Sequence, residues 1–130
     1  EYYLQQLETN KKLWESMGIE AYRITQKFMC YCGGSANTFY EVYFVNNSIV
    51  HAINTETSER KDPEKAINLL SVSELFKKTE EALLKGHTIL QLSFDKKYGF
   101  ITKVSVDPAA SKADEEWAYE MKDLTPIKIR

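Results

Sequence analysis

Twice along this chain an apolar spacing of three and four residues gives way to a spacing of two, and a glycine stands at each change. A helix gathers its apolar residues at a period near 3.6, and a strand sends every second residue to one face. The paired switch, at Gly18 and Gly86, therefore divides the chain into two runs of helix followed by strands. Few architectures accommodate that order.

The first run opens with a helix predicted over Glu1–Met17, with Leu4, Leu7, Trp14 and Met17 on one side. Glycine after the last turn closes it, because glycine takes a left-handed conformation without a Cβ clash. From Ala21 to Cys32 the alternation places Tyr22, Ile24, Phe28, Cys30 and Cys32 on one face, and Gln26 alone interrupts the row. Gly33-Gly34-Ser35-Ala36-Asn37 breaks that strand. Thr38–Val45 and Ser48–Asn54 read as two further strands joined at Asn46-Asn47, since asparagine tolerates the positive φ of tight hairpin turns.

Residues 55–71 are polar and loop-like, with a helical turn starting at Asp62-Pro63. The second run is announced by Ser71-Val72-Ser73-Glu74, which has the spacing of a capping box. Leu75, Phe76, Ala82 and Leu83 supply the apolar side of its helix. Three strands follow, over Ile89–Phe94, Phe100–Val106 and Glu116–Leu124, with Leu90, Leu92 and Phe94 assigned to one face of the first. Pro126 ends the last, because proline cannot donate to a ladder. The predicted fold is α+β in the order α-βββ-α-βββ. A single antiparallel six-stranded sheet with two helices on one face packs that order most economically.

Length and charge narrow the function. The chain has 130 residues, 43% of them hydrophobic, with 17 basic and 19 acidic side chains. One domain over residues 1–130 is expected, with a core that needs no staples. The near-neutral balance and a sequence pI near 5.8 argue against nucleic acid as a partner. No apolar run reaches the ~20 residues of a membrane span. The chain opens at Glu1 without an initiator Met, so a front segment is expected to have been removed, and a secretory signal or lipid anchor would lie there.

Residues with intrinsic reactivity are few. In an extended strand Cys30 and Cys32 project to the same side, with Cα atoms about 6.5–7 Å apart, at the limit of disulfide geometry. Buried thiols, a local bridge eased by Gly33-Gly34, and redox chemistry are the three readings open to the pair. A Cys-x-Cys spacing lacks the two-residue spacer typical of zinc sites, and His51 and His87 supply no second pair. Neither a catalytic constellation nor a phosphate loop stands in the sequence, and no metal or other cofactor is expected.

Aromatic residues are the remaining signal. Phe39-Tyr40-Glu41-Val42-Tyr43-Phe44-Val45 is apolar on both faces, with Phe39, Tyr43 and Val45 opposed to Tyr40, Val42 and Phe44. If both helices cover one side of the sheet, rings must show on the other, extended by Met29 and Tyr31. A contiguous apolar surface marks a partner, ligand or dimer contact, unless loop 55–71 folds over it. Tyr31, Tyr40, Tyr43 and Tyr98 are the candidate contact residues.

Trp14 before Gly18, Tyr22 on the first strand, Cys30-x-Cys32, a helix with Leu75-Phe76, and Phe94-Asp95-x-x-x-Gly99-Phe100 also form an ordered pattern. In order and spacing, from about residue 10 to 125, it resembles an exported bacterial family of unknown function, number 6174 among such domains. Two positions depart from the family's Tyr-Asp…Gly-Tyr-Pro: Phe94 replaces the tyrosine, and Ile101 occupies the proline position, so the hairpin there is expected to differ. The resemblance implies an exported protein, whether periplasmic, cell-surface or secreted, with any lipid anchor ahead of Glu1. It implies no reaction. An oxidising compartment favours a Cys30–Cys32 bridge. Together these features predict a non-enzymatic domain that binds a protein or small-molecule partner, or a second copy of itself, through an aromatic sheet face or loops. The alternative is a thiol-disulfide redox protein using Cys30 and Cys32.

Overall fold

The computed structural model describes residues 2–30, 38–66, 68–108 and 116–128. Its elements are α1 (Tyr2–Ser16), β1 (Ala21–Cys30), β2 (Tyr40–Val45), β3 (Ser48–Asn54), α2 (Val72–Leu84), β4 (Thr88–Phe94), β5 (Ile101–Asp107) and β6 (Trp117–Pro126), with a 3-10 turn at Pro63–Lys65. All six strands form one antiparallel sheet in the order β3-β2-β1-β6-β5-β4. Each run of three strands is thus a meander, and the two meanders join where the first strand meets the last. Both helices lie on the same face.

Local chemistry explains most boundaries. Gly18 and Gly86 take positive φ just past their helices, and Asn46 and Asn47 do so between β2 and β3. Ser71 and Glu74 form the full capping box at the start of α2. Asp62 accepts from the Glu64 amide and caps the 3-10 turn.

The core is a layer between the helices and the inner face of the sheet. Leu7 and Trp14 from α1, and Leu75, Phe76 and Ala82 from α2, meet Tyr22, Ile24, Val42, Phe44, Val104 and Met121. Trp14 stands edge-on to Tyr22 at 5.3 Å between ring centroids, and Tyr22 stacks on Phe44 at the same distance. Met17, expected on the apolar side of α1, is 39% exposed at its frayed end. A bulge between Ile89 and Gln91 also changes the face of β4. It turns Leu90 outward to 55% exposure, and Ile89 packs on the core with Leu92 and Phe94 instead.

Three polar side chains of the sheet hold the irregular segment that leads into α2. Tyr22 accepts from the Val72 amide through its hydroxyl (2.9 Å). Gln26 donates to the Leu70 carbonyl (2.8 Å) and accepts from the Leu70 amide (3.0 Å). Tyr119 donates to the Asn68 carbonyl (2.8 Å). Backbone outside regular structure must find partners when covered, and the sheet provides them. The polar interruption at Gln26 is therefore a structural contact, fully buried.

The Asp95–Phe100 turn is built the same way. Asp95 accepts from the amides of Lys97 (3.0 Å) and Tyr98 (2.7 Å), and its carbonyl accepts from Gly99. Gly99 has φ +87°, and a Cβ there would lie 2.5 Å from the Asn10 carbonyl oxygen of α1. Ile101 is buried and opens β5 opposite Phe94. Phe94 in turn stacks on Phe76 of α2 at 6.5 Å.

Two outcomes follow from these contacts. Gly99→Ala is expected to cost at least ~2 kcal/mol, since the left-handed backbone alone costs ~1–2 kcal/mol and α1 must also move. Gln26→Leu strands two peptide groups and should cost about 2–4 kcal/mol. Urea unfolding monitored by tryptophan fluorescence measures both.

Alkaline pH supplies a third. Burial pushes the Tyr22 phenol well above the ordinary tyrosine range. The Val72 amide offsets part of that rise and Glu74 adds to it. Burial, then Glu74, raises Tyr119 likewise. The folded state keeps these two protons to higher pH than the unfolded chain does. Their stabilisation is therefore complete below about pH 10 and falls as pH rises toward the folded values, by about 1.4 kcal/mol per pH unit for each tyrosine. Tyr119→Phe should halve that slope in urea titrations.

Candidate functional site

The face of the sheet away from the helices is built from the alternate residues of every strand. β1 contributes Arg23, Thr25, Lys27 and Met29, and β2 contributes Glu41 and Tyr43, with Phe39 just ahead of it. Across β1, β6 contributes Ala118, Glu120 and Lys122, followed by Lys103 and Ser105 of β5. The hydrogen bonds of the described residues of loop 55–71 run to the Phe39 carbonyl just ahead of β2, to the β3 edge and to the inner side of the sheet. Among the described residues the loop makes no hydrogen bond to a side chain of this outer face.

Phe39 is the centre of the surface. Its half-buried ring lies beneath two ammonium groups, Lys27 Nζ at 4.6 Å and Lys122 Nζ at 4.2 Å from the centroid. The antiparallel register explains the meeting: Lys27 faces Phe39 across β1–β2, and Lys122 reaches in from β6, opposite Thr25. A cation over an aromatic face contributes about 0.5–1 kcal/mol at such sites. Beside this cluster, Tyr43 donates from its hydroxyl to Glu41 Oε1 (3.1 Å) and meets the His51 ring edge-on at 5.6 Å. Glu41 Oε2 lies 4.0 Å from Arg23 Nε, and Arg23 also donates to Thr125 (3.2 Å). Exposed pairs of this kind contribute little to stability. They do hold the long side chains in place.

The surface is consequently a mosaic of ring, methylene and charge. Four basic residues (Arg23, Lys27, Lys103, Lys122) stand against Glu41 and Glu120 on a chain that is net acidic. The contiguous apolar patch expected from the sequence is thus replaced by one lysine-capped ring, Phe39, among charged side chains. Lysine stems bury their methylenes along aromatic surface while the charge stays in water.

The four tyrosines singled out in the sequence do not converge. Tyr43 belongs to the outer face. Tyr40 points the other way, is 9% exposed among the core residues, and has Lys61 Nζ 5.2 Å from its centroid. Tyr98 sits in the β4–β5 turn, partly buried against the core beneath Lys97. Tyr31 and Cys32 lie outside the described residues, as does the side chain of Cys30, whose backbone pairs with Trp117 at the end of β1. Arg23, Lys27, Lys103 and Lys122 were not singled out from sequence. Their signal, basic residues on the polar face of three strands, gains meaning only once β1 is known to pair with β6.

Elsewhere, a shallow groove of about 260 Å³ runs between the end of α1 and the β2–β3 turn, lined by Glu15, Gly18, Ile19, Asn46 and Ser73 among others. It is smaller than the sites that usually enclose small molecules. Among the described residues no three His, Cys, Asp or Glu side chains converge as metal ligands. No helix there is long and apolar enough to cross a membrane.

Fold and surface together define a class: a two-layer α+β domain whose helices cover one side of an antiparallel sheet and whose other side, among the described residues, is a ring-and-lysine surface. Residues 6–126 match the Family of unknown function (DUF6174), and the chain belongs to that family. No curated protein and no solved structure matches it. Of the residues that carry the resemblance, Trp14 and Tyr22 lie in the core stack, and Asp95 and Gly99 in the turn under α1.

The division of the two β2 tyrosines can be measured directly. Tyr40→Glu buries a carboxylate in the core and is expected to lower stability by more than ~3 kcal/mol, whereas Tyr43→Glu on the outer face should stay within ~1 kcal/mol of the parent. Thermal melts of the two variants report the difference.

Proposed function

We propose that this chain is an exported, non-enzymatic binding domain whose outer sheet face holds an acidic partner protein. The observation that carries this reading is the Phe39 ring beneath Lys27 and Lys122, at the middle of a face with four basic and two acidic side chains. Such a face offers a partner's carboxylates two close ammonium groups, and offers its apolar side chains the ring and the lysine methylenes. Exposed aromatic and cationic groups on a rigid sheet are the usual material of binding hot spots. Complementary charge also speeds encounter and discriminates among partners. Placement outside the cytoplasm, in the periplasm, at the cell surface or in the medium, rests on the exported family that the sequence resembles.

The test compares capture from an envelope extract of the source cells by the parent domain and by Lys27→Glu/Lys122→Glu. The parent should retain an acidic protein that raised salt releases, since screening weakens exposed charge contacts. The double variant should lose that protein while its melting temperature stays unchanged. Equal capture by both would rule out the outer face as the contact.

A further inference from the structure

The two edges of the sheet are finished differently. Along β3, the chain folds back over its C-terminal half: Lys61 donates to the Ala52 carbonyl (2.8 Å), Asn54 donates to the Glu59 carbonyl (2.9 Å), and Arg60 bridges Ile53. A bulge between Tyr43 and Phe44 of the β2–β3 pairing guards the other half. At the opposite edge β4 reads Thr-Ile-Leu-Gln-Leu-Ser-Phe, without a charge or a proline. Among the described residues nothing pairs with its outer side. Its guards are two irregularities of the β4–β5 pairing, the bulge at Leu90 and a shift between Ser93 and Phe94.

A free edge presents a row of amides and carbonyls ready to pair. Proteins blunt such edges with charge, proline, bulges or cover. β3 has both a bulge and cover. β4 has no cover; neither strand contains Asp, Glu, Lys or Arg, and each exposes one aliphatic side chain, Val50 at 54% and Leu90 at 55%. We propose that β4 pairs antiparallel with β4 of a second copy of this chain about a two-fold axis, joining the two sheets into one.

The identity of the occupant follows from the edge itself. A two-fold contact sets a strand against its own sequence, so any charge on it would face a like charge or lie close to one; β4 carries none. The axis uses up the open edge of both copies and leaves only the guarded β3 edges outside. Assembly therefore stops at two, where a chain with two open edges would grow into a fibre. Antiparallel pairing within one sheet also keeps the outer faces of both copies on the same side. The ring-and-lysine surface would be doubled, and a partner with two contact points would gain from the high effective concentration of the second.

Sedimentation equilibrium from micromolar to millimolar protein tests this, with hydrogen exchange read at both ends of the range. The parent chain is expected to reach twice its 15.1 kDa mass and no more. The β4 amides should gain protection as it does so. Leu90→Lys and Gln91→Lys, each at an exposed side chain, should hold the protein at monomer mass over the same range with an unchanged circular dichroism spectrum. Should Leu90→Lys disturb the bulge, Gln91→Lys reads the contact alone. Monomer mass for the parent throughout, growth beyond two copies, or a dimer that Gln91→Lys leaves intact each overturns the proposal.

Discussion

The buried hydrogen bonds between the sheet and residues 68–72 are the contact on which the arrangement of both layers depends. Gln26 returns both backbone groups of Leu70, Tyr22 receives the Val72 amide and Tyr119 reaches the Asn68 carbonyl. These bonds fix where α2 begins. They also fix its position over the sheet, because the capping box at Ser71 and Glu74 sits inside the same short stretch. A hydrophobic layer alone would let a helix slide along a sheet. Polar partners that exist at only one register prevent that, since each slip would leave buried groups unpaired.

The same logic recurs where α1 meets the β4–β5 turn. Asp95 ties the turn through three amides, counting the one its carbonyl receives, and Gly99 lets it approach the α1 backbone more closely than any other residue could. With one helix registered by the Tyr22–Gln26–Tyr119 row and the other by Gly99, both helices are committed to one side. Among the described residues the opposite side is left without a helix as a consequence. The outer surface is thus a by-product of how the helices are anchored, and the core does not depend on its residues.

Much of this was legible beforehand. The glycine stops, the asparagine turn, the capping box and the alternation along β1 and β2 are local signals, and the element order and one-sided layering follow from them. Gln26 was visible as an interruption, but not as a partner of Leu70, which lies 44 residues away. The face of β4 was misread because one extra residue at Leu90 shifts the alternation, and a bulge has no dependable local signature. Tyr40 and Tyr43 were grouped as contact residues although their spacing of three sends them to opposite faces of a strand. Phe39's two lysines come from strands whose adjacency spans most of the chain.

By itself the amino-acid order determined what each segment is, because helix stops, turns and apolar periods act within a few residues of one another. It also carried the resemblance to the family, through Trp14, Tyr22, Asp95 and Gly99, which hold the core and the turn together. Only the tertiary structure decided what each segment faces. Pairing β1 with β6 brought Lys122 to Phe39, and closing loop 59–61 over β3 left β4 as the single uncovered edge strand among the described residues. Those outcomes depend on contacts between residues far apart in the chain, and no short-range rule encodes them.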